Sequence, residues 1–275
     1  MRNSLVGEEP SDSYRIPLSA LEFDLVCDLL SSGCHLFFQK GKLRLPADKE
    51  QRVLISDLVK GCAVRAPHPR GSIGLDVGSL PDGICLIDID DPFAARAIQA
   101  YLGRGRPLII ESTPSGGLHI WGRGIGYAKN GLCSAGIRVE YFFGGRITIL
   151  GEGRSVYQTA PLSEVGVFPQ PLWPARGSSV GEVQVPIPKG ERWNTLYERV
   201  RTHPSTQSET LLFQARHLCD PPLEEDKERD LLRMLEKRAE AEVAEGEAGE
   251  VVGPDLELDA HVGALLANQF KDTWD

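Results

Sequence analysis

Asp88 and Asp90 close an apolar run, Ile84 to Asp90 (ICLIDID). In an extended strand, side chains two positions apart share a face, so the two carboxylates project together while Ile87 and Ile89 pack behind them. Neighbouring carboxylates repel unless a cation lies between them. Magnesium or manganese would relieve this repulsion, because each is a hard ion that takes oxygen ligands and leaves coordination positions open for phosphate. Taken alone, D-x-D is short enough to be the solvated end of a strand.

Two further segments carry chemistry. Ser112-Thr113-Pro114-Ser115-Gly116-Gly117-Leu118-His119 is a turn between two strand-like runs, and its small residues let backbone N–H groups approach an anion such as a triphosphate. His119 and Trp121 share one face of the strand that follows, so His119 can reach a phosphate from the loop side. In Ile137 to Leu150 (IRVEYFFGGRITIL), Arg138 and Glu140 share a strand face, and Arg146 opens the expected hairpin partner. Glu140 suits a third metal ligand, and Arg146 suits a phosphate clamp through its forked donors. The simpler alternatives are an ordinary Gly turn, a core or surface histidine, and a surface ion pair of Glu140 with Arg138 or Arg146.

The elements that must position these residues are legible in outline. Leu18, Leu21, Leu25 and Leu29 have helical spacing and Gly33 terminates them, with a short strand at 35–38 after it. A helix is expected near 53–60, then strands at 73–77 and 84–90 that suit a hairpin. Asp91-Pro92 opens a helix to about Leu102, Asp as N-cap and Pro at the first helical position. Strands follow at 107–111, 118–122, 137–143 and 146–150, the last two joined by a Gly144-Gly145 hairpin turn. The expected fold class is α+β: a catalytic domain over residues 1–170 with a mixed, largely antiparallel sheet, and a small all-α domain over 187–244. A Pro-, Gly- and Ser-rich linker at 171–186 joins them, and 245–275 is expected to be an acidic, flexible tail.

Composition sets bounds on function. With 41% hydrophobic and 25% charged residues the chain has the make-up of a globular protein. No apolar run long enough to span a membrane and no secretory leader is visible, so the expected location is the cytoplasm and no membrane partner is expected. The six cysteines form no C-x-x-C pair, which argues against a zinc ribbon and for reduced core thiols. The net charge of −9 is concentrated in residues 224–275, which hold 6 Lys and Arg against 16 Asp and Glu. The remaining chain is nearly neutral, so overall charge neither favours nor excludes a nucleic-acid partner.

The order of the motifs says more than any one of them. D-x-D on a strand, S-G-G-x-H before a strand and an acid before a Gly-Gly turn together resemble the three signature motifs of the archaeo-eukaryotic primase superfamily, most closely its primase-polymerase branch. Ser72 to Gly78 and Phe37 to Lys42 resemble segments ahead of the first motif. Ile187 to Leu196 and Cys219 to Leu223 resemble the helical domain that often follows. The likeness spans roughly residues 15–240. Glu140 stands where many members have Asp, and Trp193 where Asn is common.

The resemblance implies a DNA-dependent primase-polymerase of phage or plasmid type, joining dNTPs or NTPs on a single-stranded DNA template with or without a primer. It implies Asp88, Asp90, Glu140 and His119 as catalytic residues, the three carboxylates holding two Mg²⁺ or Mn²⁺ ions. Ser115, Gly116, Gly117, His119 and Arg146 would bind the nucleotide, and a replicative helicase is a candidate partner. The alternatives are an end-joining repair polymerase of the same superfamily, a single-stranded-DNA-binding replication factor without turnover, and a metal-dependent nuclease.

Overall fold

Alternation of apolar side chains with a few charged ones shapes the central sheet, because each of its strands must satisfy two different surroundings. A computed structural model of the chain describes residues 14–40, 51–67, 71–103, 105–126, 130–175, 181–202 and 208–248. In chain order the first elements are β1 (Tyr14–Pro17), α1 (Ala20–Ser31), β2 (Leu36–Lys40), β3 (Leu58–Val59), β4 (Ala63–Ala66), β5 (Gly71–Asp76), β6 (Cys85–Ile89) and α2 (Pro92–Leu102). There follow β7 (Ile109–Ser112), β8 (Leu118–Gly122), β9 (Gly131–Leu132), β10 (Arg138–Phe142), β11 (Arg146–Leu150) and β12 (Ser155–Gln158). The last are β13 (Ile187–Pro188), α3 (Arg192–Thr202), α4 (Ser208–Phe213), β14 (Cys219–Asp220) and α5 (Glu225–Ala248).

The main sheet has six strands in the order β12-β7-β8-β6-β10-β9, all neighbours antiparallel. A second antiparallel sheet runs β11-β5-β2 and a third β1-β4-β3, while β13 and β14 form a parallel pair. The chain is thus a mixed α/β protein built on antiparallel sheets, compatible with the α+β class. No described helix is long and apolar enough to cross a membrane. All six cysteines are free.

One face of the main sheet, carrying Ile87, Ile89, Ile110, Leu118, Ile120, Val139 and Tyr141, is buried under α2 and the C-terminal helices. Leu196, Leu211, Phe213 and Leu218 belong to this same apolar cluster, so the helical segment shares its core with the sheet. The opposite face is apolar only at one end, where Leu86, Ile109 and Trp121 pack with Ile73, Leu75, Ile147 and Ile149 of the second sheet. Two residues further along the same strands the side chains turn polar.

Local chemistry sets the element ends near this polar region. Ser19 and Glu22 form a reciprocal capping box at the start of α1. Asp91 caps α2, its Oδ1 accepting from the amides of Phe93 at 2.9 Å and Ala94 at 2.7 Å, with Pro92 in the first turn.

Three expectations about elements need correcting. The segment 53–60 is a single 3-10 turn, Ile55–Asp57, running into β3, because the Asp57 carboxylate binds the Leu54 amide at 2.8 Å and closes a tight turn. The strands at 73–77 and 84–90 do not pair: β5 joins β2 and β11, and β6 joins β8 and β10. Nor does Gly144-Gly145 close a hairpin. It carries the chain from the main sheet into the second, where β11 pairs with β5 and Val77 N–H donates to Gly145 O at 2.8 Å.

Candidate active site

The polar stretch of the main sheet is one line of residues across four neighbouring strands. Cross-strand register places Glu111 opposite His119, His119 opposite Asp88, and Asp88 opposite Glu140, on β7, β8, β6 and β10 in turn. All four share strand parity with Leu86, Ile109, Trp121 and Phe142, so they point out of the face whose other end is apolar core. The sequence pattern brings Asp88, His119 and Glu140 together here, and Asp90 continues from the end of β6.

Burial falls along the line. Glu111 is 0% exposed and His119 4%, the Asp88 side chain is 19% exposed, and Glu140 and Asp90 are exposed. His119 Nε2 lies 3.6 Å from Asp88 Oδ2, and its Nδ1 lies 3.4 Å from Glu111 Oε1. Burial pulls the imidazole pKa down. The hydrogen bonds and negative charges of Asp88 and Glu111 outweigh it and push His119 up to about 9. With no metal ion bound, His119 is therefore an imidazolium near neutral pH.

The exposed end opens into a cleft of about 590 Å³ lined by Asp88, Asp90, Glu140 and Glu182. Arg138, on the same face of β10 as Glu140, also lines the cleft and is tied to Glu182 at 2.7 Å. Two observations bear on a divalent ion. Among the described residues no three His, Cys, Asp or Glu side chains converge closely enough to hold a metal. Yet Asp88 Oδ1 is buried with no hydrogen-bond partner, and Asp90, Glu140 and Glu182 line the same cleft. A buried carboxylate oxygen without a donor is costly, and a hard cation satisfies it. The residues fit Mg²⁺ or Mn²⁺ in chemistry, with the exposed Asp90 and Glu140 side chains as the adjustable ligands.

The Thr113 to Gly117 turn is docked on the end of β6. A Cβ at Gly117 would stand 2.3 Å from the Ile89 carbonyl oxygen and 3.2 Å from Asp90 Cα, so only glycine permits this approach. The turn is held by Gly116 N–H to Thr113 O at 3.0 Å and Gly117 N–H to Thr113 Oγ1 at 3.0 Å. Both glycine amides expected to receive an anion are thus engaged within the turn. Ser115 is exposed at its tip, its Oγ 3.0 Å from Thr113 Oγ1.

Arg146 belongs to the second sheet. It pairs with Asp76 in the second sheet, and its guanidinium sits 5.2 Å from the Phe37 ring. Its strand neighbours Ile147 and Ile149 point the other way, into the core.

Glu111 and Arg154 were not singled out from the sequence. Arg154 Nη1 lies 2.7 Å from Glu111 Oε1 and 3.5 Å from His119 Nδ1. A signal for Glu111 was present: with the turn centred on Ser115, antiparallel pairing sets residue 111 against residue 119. Arg154 carries no such signal, since it comes from the Gly151–Gly153 turn and reaches the line only through the pairing of β12 with β7.

Comparison of this chain with protein-family models, with curated proteins and with solved structures finds no match in any of the three.

Proposed function

We propose that this chain is a metal-dependent phosphoryl-transfer enzyme acting on nucleotides. Within that class it is a DNA-dependent primase-polymerase, adding nucleoside triphosphates to a growing strand on a single-stranded DNA template in the cytoplasm. The observation that carries the reading is the facing of Asp88, His119 and Glu140 on three adjacent strands, with Asp90 beside them and a docked Ser-Gly-Gly turn above. Three motifs far apart in the chain that meet at one spot are what such a reaction needs.

Asp88, Asp90 and Glu140 would hold the divalent ions, which supply charge neutralisation and activation of the attacking hydroxyl when bound. The protein's own share is binding and orientation. His119, fixed between Asp88 and Glu111, would stand beside the carboxylates where the triphosphate lies, and the Ser115 hydroxyl offers a hydrogen bond at the tip of the turn.

The test is synthesis on circular single-stranded DNA with Mg²⁺ or Mn²⁺, with dNTPs or NTPs, with and without an annealed primer. Products made without a primer and lost in Asp88→Ala identify a primase; extension from a primer alone restricts the chain to a polymerase. Degradation of the template in place of extension replaces this reading with a nuclease. Binding of single-stranded DNA with no product replaces it with a replication factor.

A further inference from the structure

Arg199 carries a buried charge that the chemistry at the main sheet does not use. It is 8% exposed on α3, and its Nη1 is buried with no hydrogen-bond partner. Nη2 donates to the Gly181 carbonyl oxygen at 2.9 Å, a neutral acceptor. Burial lowers the guanidinium pKa to about 10, offset among the described residues by the Cys133 thiol and by no carboxylate. A guanidinium shut away from water without an anion costs folding free energy, and a bound anion recovers it.

The backbone holds this arginine firmly and leaves room beside it. A Cβ at Gly136, where φ is +75°, would stand 2.6 Å from Arg199 Nη2 and 2.5 Å from Val183 Cγ2, so the guanidinium and the 181–187 segment are both pressed against this turn. Val183 N–H donates to Gly136 O at 2.9 Å and fixes the segment there. A cavity of about 410 Å³ is lined by Arg199 together with Val183, Ile187, Pro188, Glu191 and Thr195. Thr195 N–H bonds Glu191 O at 2.9 Å, so Glu191, Thr195 and Arg199, spaced by four, lie along one helical face.

The lining limits what can enter. Glu182, Glu191 and Glu198 outnumber the one arginine, so a multiply charged anion such as phosphate is repelled while a single carboxylate is tolerated. Glu182 is bound to Arg138 at 2.7 Å and Glu198 to Arg201 at 3.2 Å, which leaves Glu191 to receive a cation. Eight residues of helix set the Cα atoms of Glu191 and Arg199 about 12 Å apart, and side chains reaching into one cavity shorten that gap to the length of a short aliphatic chain. Val183, Ile187 and Pro188 supply the apolar wall for such a chain. We propose that this cavity binds a small ω-amino carboxylate of the lysine type, its carboxylate at Arg199 and its amine at Glu191. Its charged contacts lie outside the polar line of the main sheet, so the site stands whether or not the chain joins nucleotides.

Calorimetric titration of the full chain with ε-aminocaproate, caproate, hexylamine and inorganic phosphate resolves the two ends. Wild type should bind ε-aminocaproate at millimolar concentration, caproate several-fold more weakly because Glu191 is exposed, and hexylamine and phosphate not at all. Arg199→Met keeps a long apolar side chain, removes the charge and should weaken ε-aminocaproate by about tenfold or more. Glu191→Gln should bring ε-aminocaproate and caproate to equal affinity. Thr195→Tyr fills the cavity from a half-buried position without touching the charge; it should abolish binding, and it decides the matter if Arg199→Met does not fold. Absence of binding by both carboxylates in wild type, or undiminished binding in Arg199→Met or Thr195→Tyr, overturns the site. Equal wild-type affinity for ε-aminocaproate and caproate overturns the amine end, and tighter binding of phosphate than of either overturns the ligand class.

Discussion

Replacing Gly117 by alanine tests whether the Ser-Gly-Gly turn is docked on the strand end that carries the aspartates. The added Cβ would lie 2.3 Å from the Ile89 carbonyl oxygen and 3.0 Å from Thr113 Oγ1. Carbon-to-oxygen contacts close at roughly 3.3 Å, so turn and strand must part by about 1 Å, with an overpacking cost of about 1–3 kcal/mol. At this chain length each kcal/mol lowers Tm by roughly 2–4 °C, which predicts a fall of several degrees. A 1 Å displacement of substrate-positioning groups costs on the order of 100-fold in rate, so incorporation should fall far more than stability. Gly144→Ala is the matched control, because a Cβ there meets nothing within 4 Å and the residue leads into β11 away from the polar line. Thermal unfolding and nucleotide incorporation, measured side by side on both variants, give the answer. A Gly117→Ala protein with wild-type Tm and wild-type rate would refute the docking of the turn.

Asp91 lines the same cleft, but its carboxylate is engaged at the start of α2. Asp91→Ala should cost about 1 kcal/mol by chemical denaturation and keep activity, whereas Asp88→Ala should stay folded and lose it. In protein stripped of metal, His119 is raised from 6.5 to about 9, which corresponds to about 3 kcal/mol of stability at low pH. That contribution is complete below pH 6.5 and disappears as pH rises through about 9, so urea denaturation at pH 6.5 and 9.5 should differ in wild type and converge in His119→Gln. Equal pH dependence in the two proteins would exclude the imidazolium. Arg123 donates to the carbonyls of Val165 at 3.0 Å, Asp82 at 2.5 Å and Leu162 at 3.0 Å, a fan that lysine cannot reproduce. Arg123→Lys should lower stability by about 2 kcal/mol with no change in nucleotide affinity, measured by denaturation and titration.

Much of the site was written in local pattern. Period-two alternation in Ile84 to Asp90 set Asp88 apart from Ile87 and Ile89, and those isoleucines are indeed fully buried behind it. Asp91-Pro92 named the start of α2 through capping chemistry that depends on neighbours alone. What pattern does not reveal is which sheet a strand will join. Gly144-Gly145 is a turn signal, and a turn signal specifies a change of direction without specifying a hydrogen-bond partner; β10 and β11 accordingly diverge into different sheets, and Arg146 pairs with Asp76 in the second. The same limit hid Arg154, brought to His119 by pairing across more than forty residues of chain. At 53–60 a side-chain-to-backbone bond from Asp57 outcompeted the helical tendency, a local contest that composition does not resolve.

On the proposed reading, Asp88, Asp90 and Glu140 hold divalent metal for work on a nucleoside triphosphate. Manganese binding followed by electron paramagnetic resonance, with and without dNTP, tests it most directly. Mn²⁺ binding should tighten with dNTP, be lost in Asp88→Asn, weaken in Glu140→Gln and persist in Asp91→Asn. Binding that is indifferent to Asp88 and Glu140, or the absence of binding even with dNTP, would contradict it.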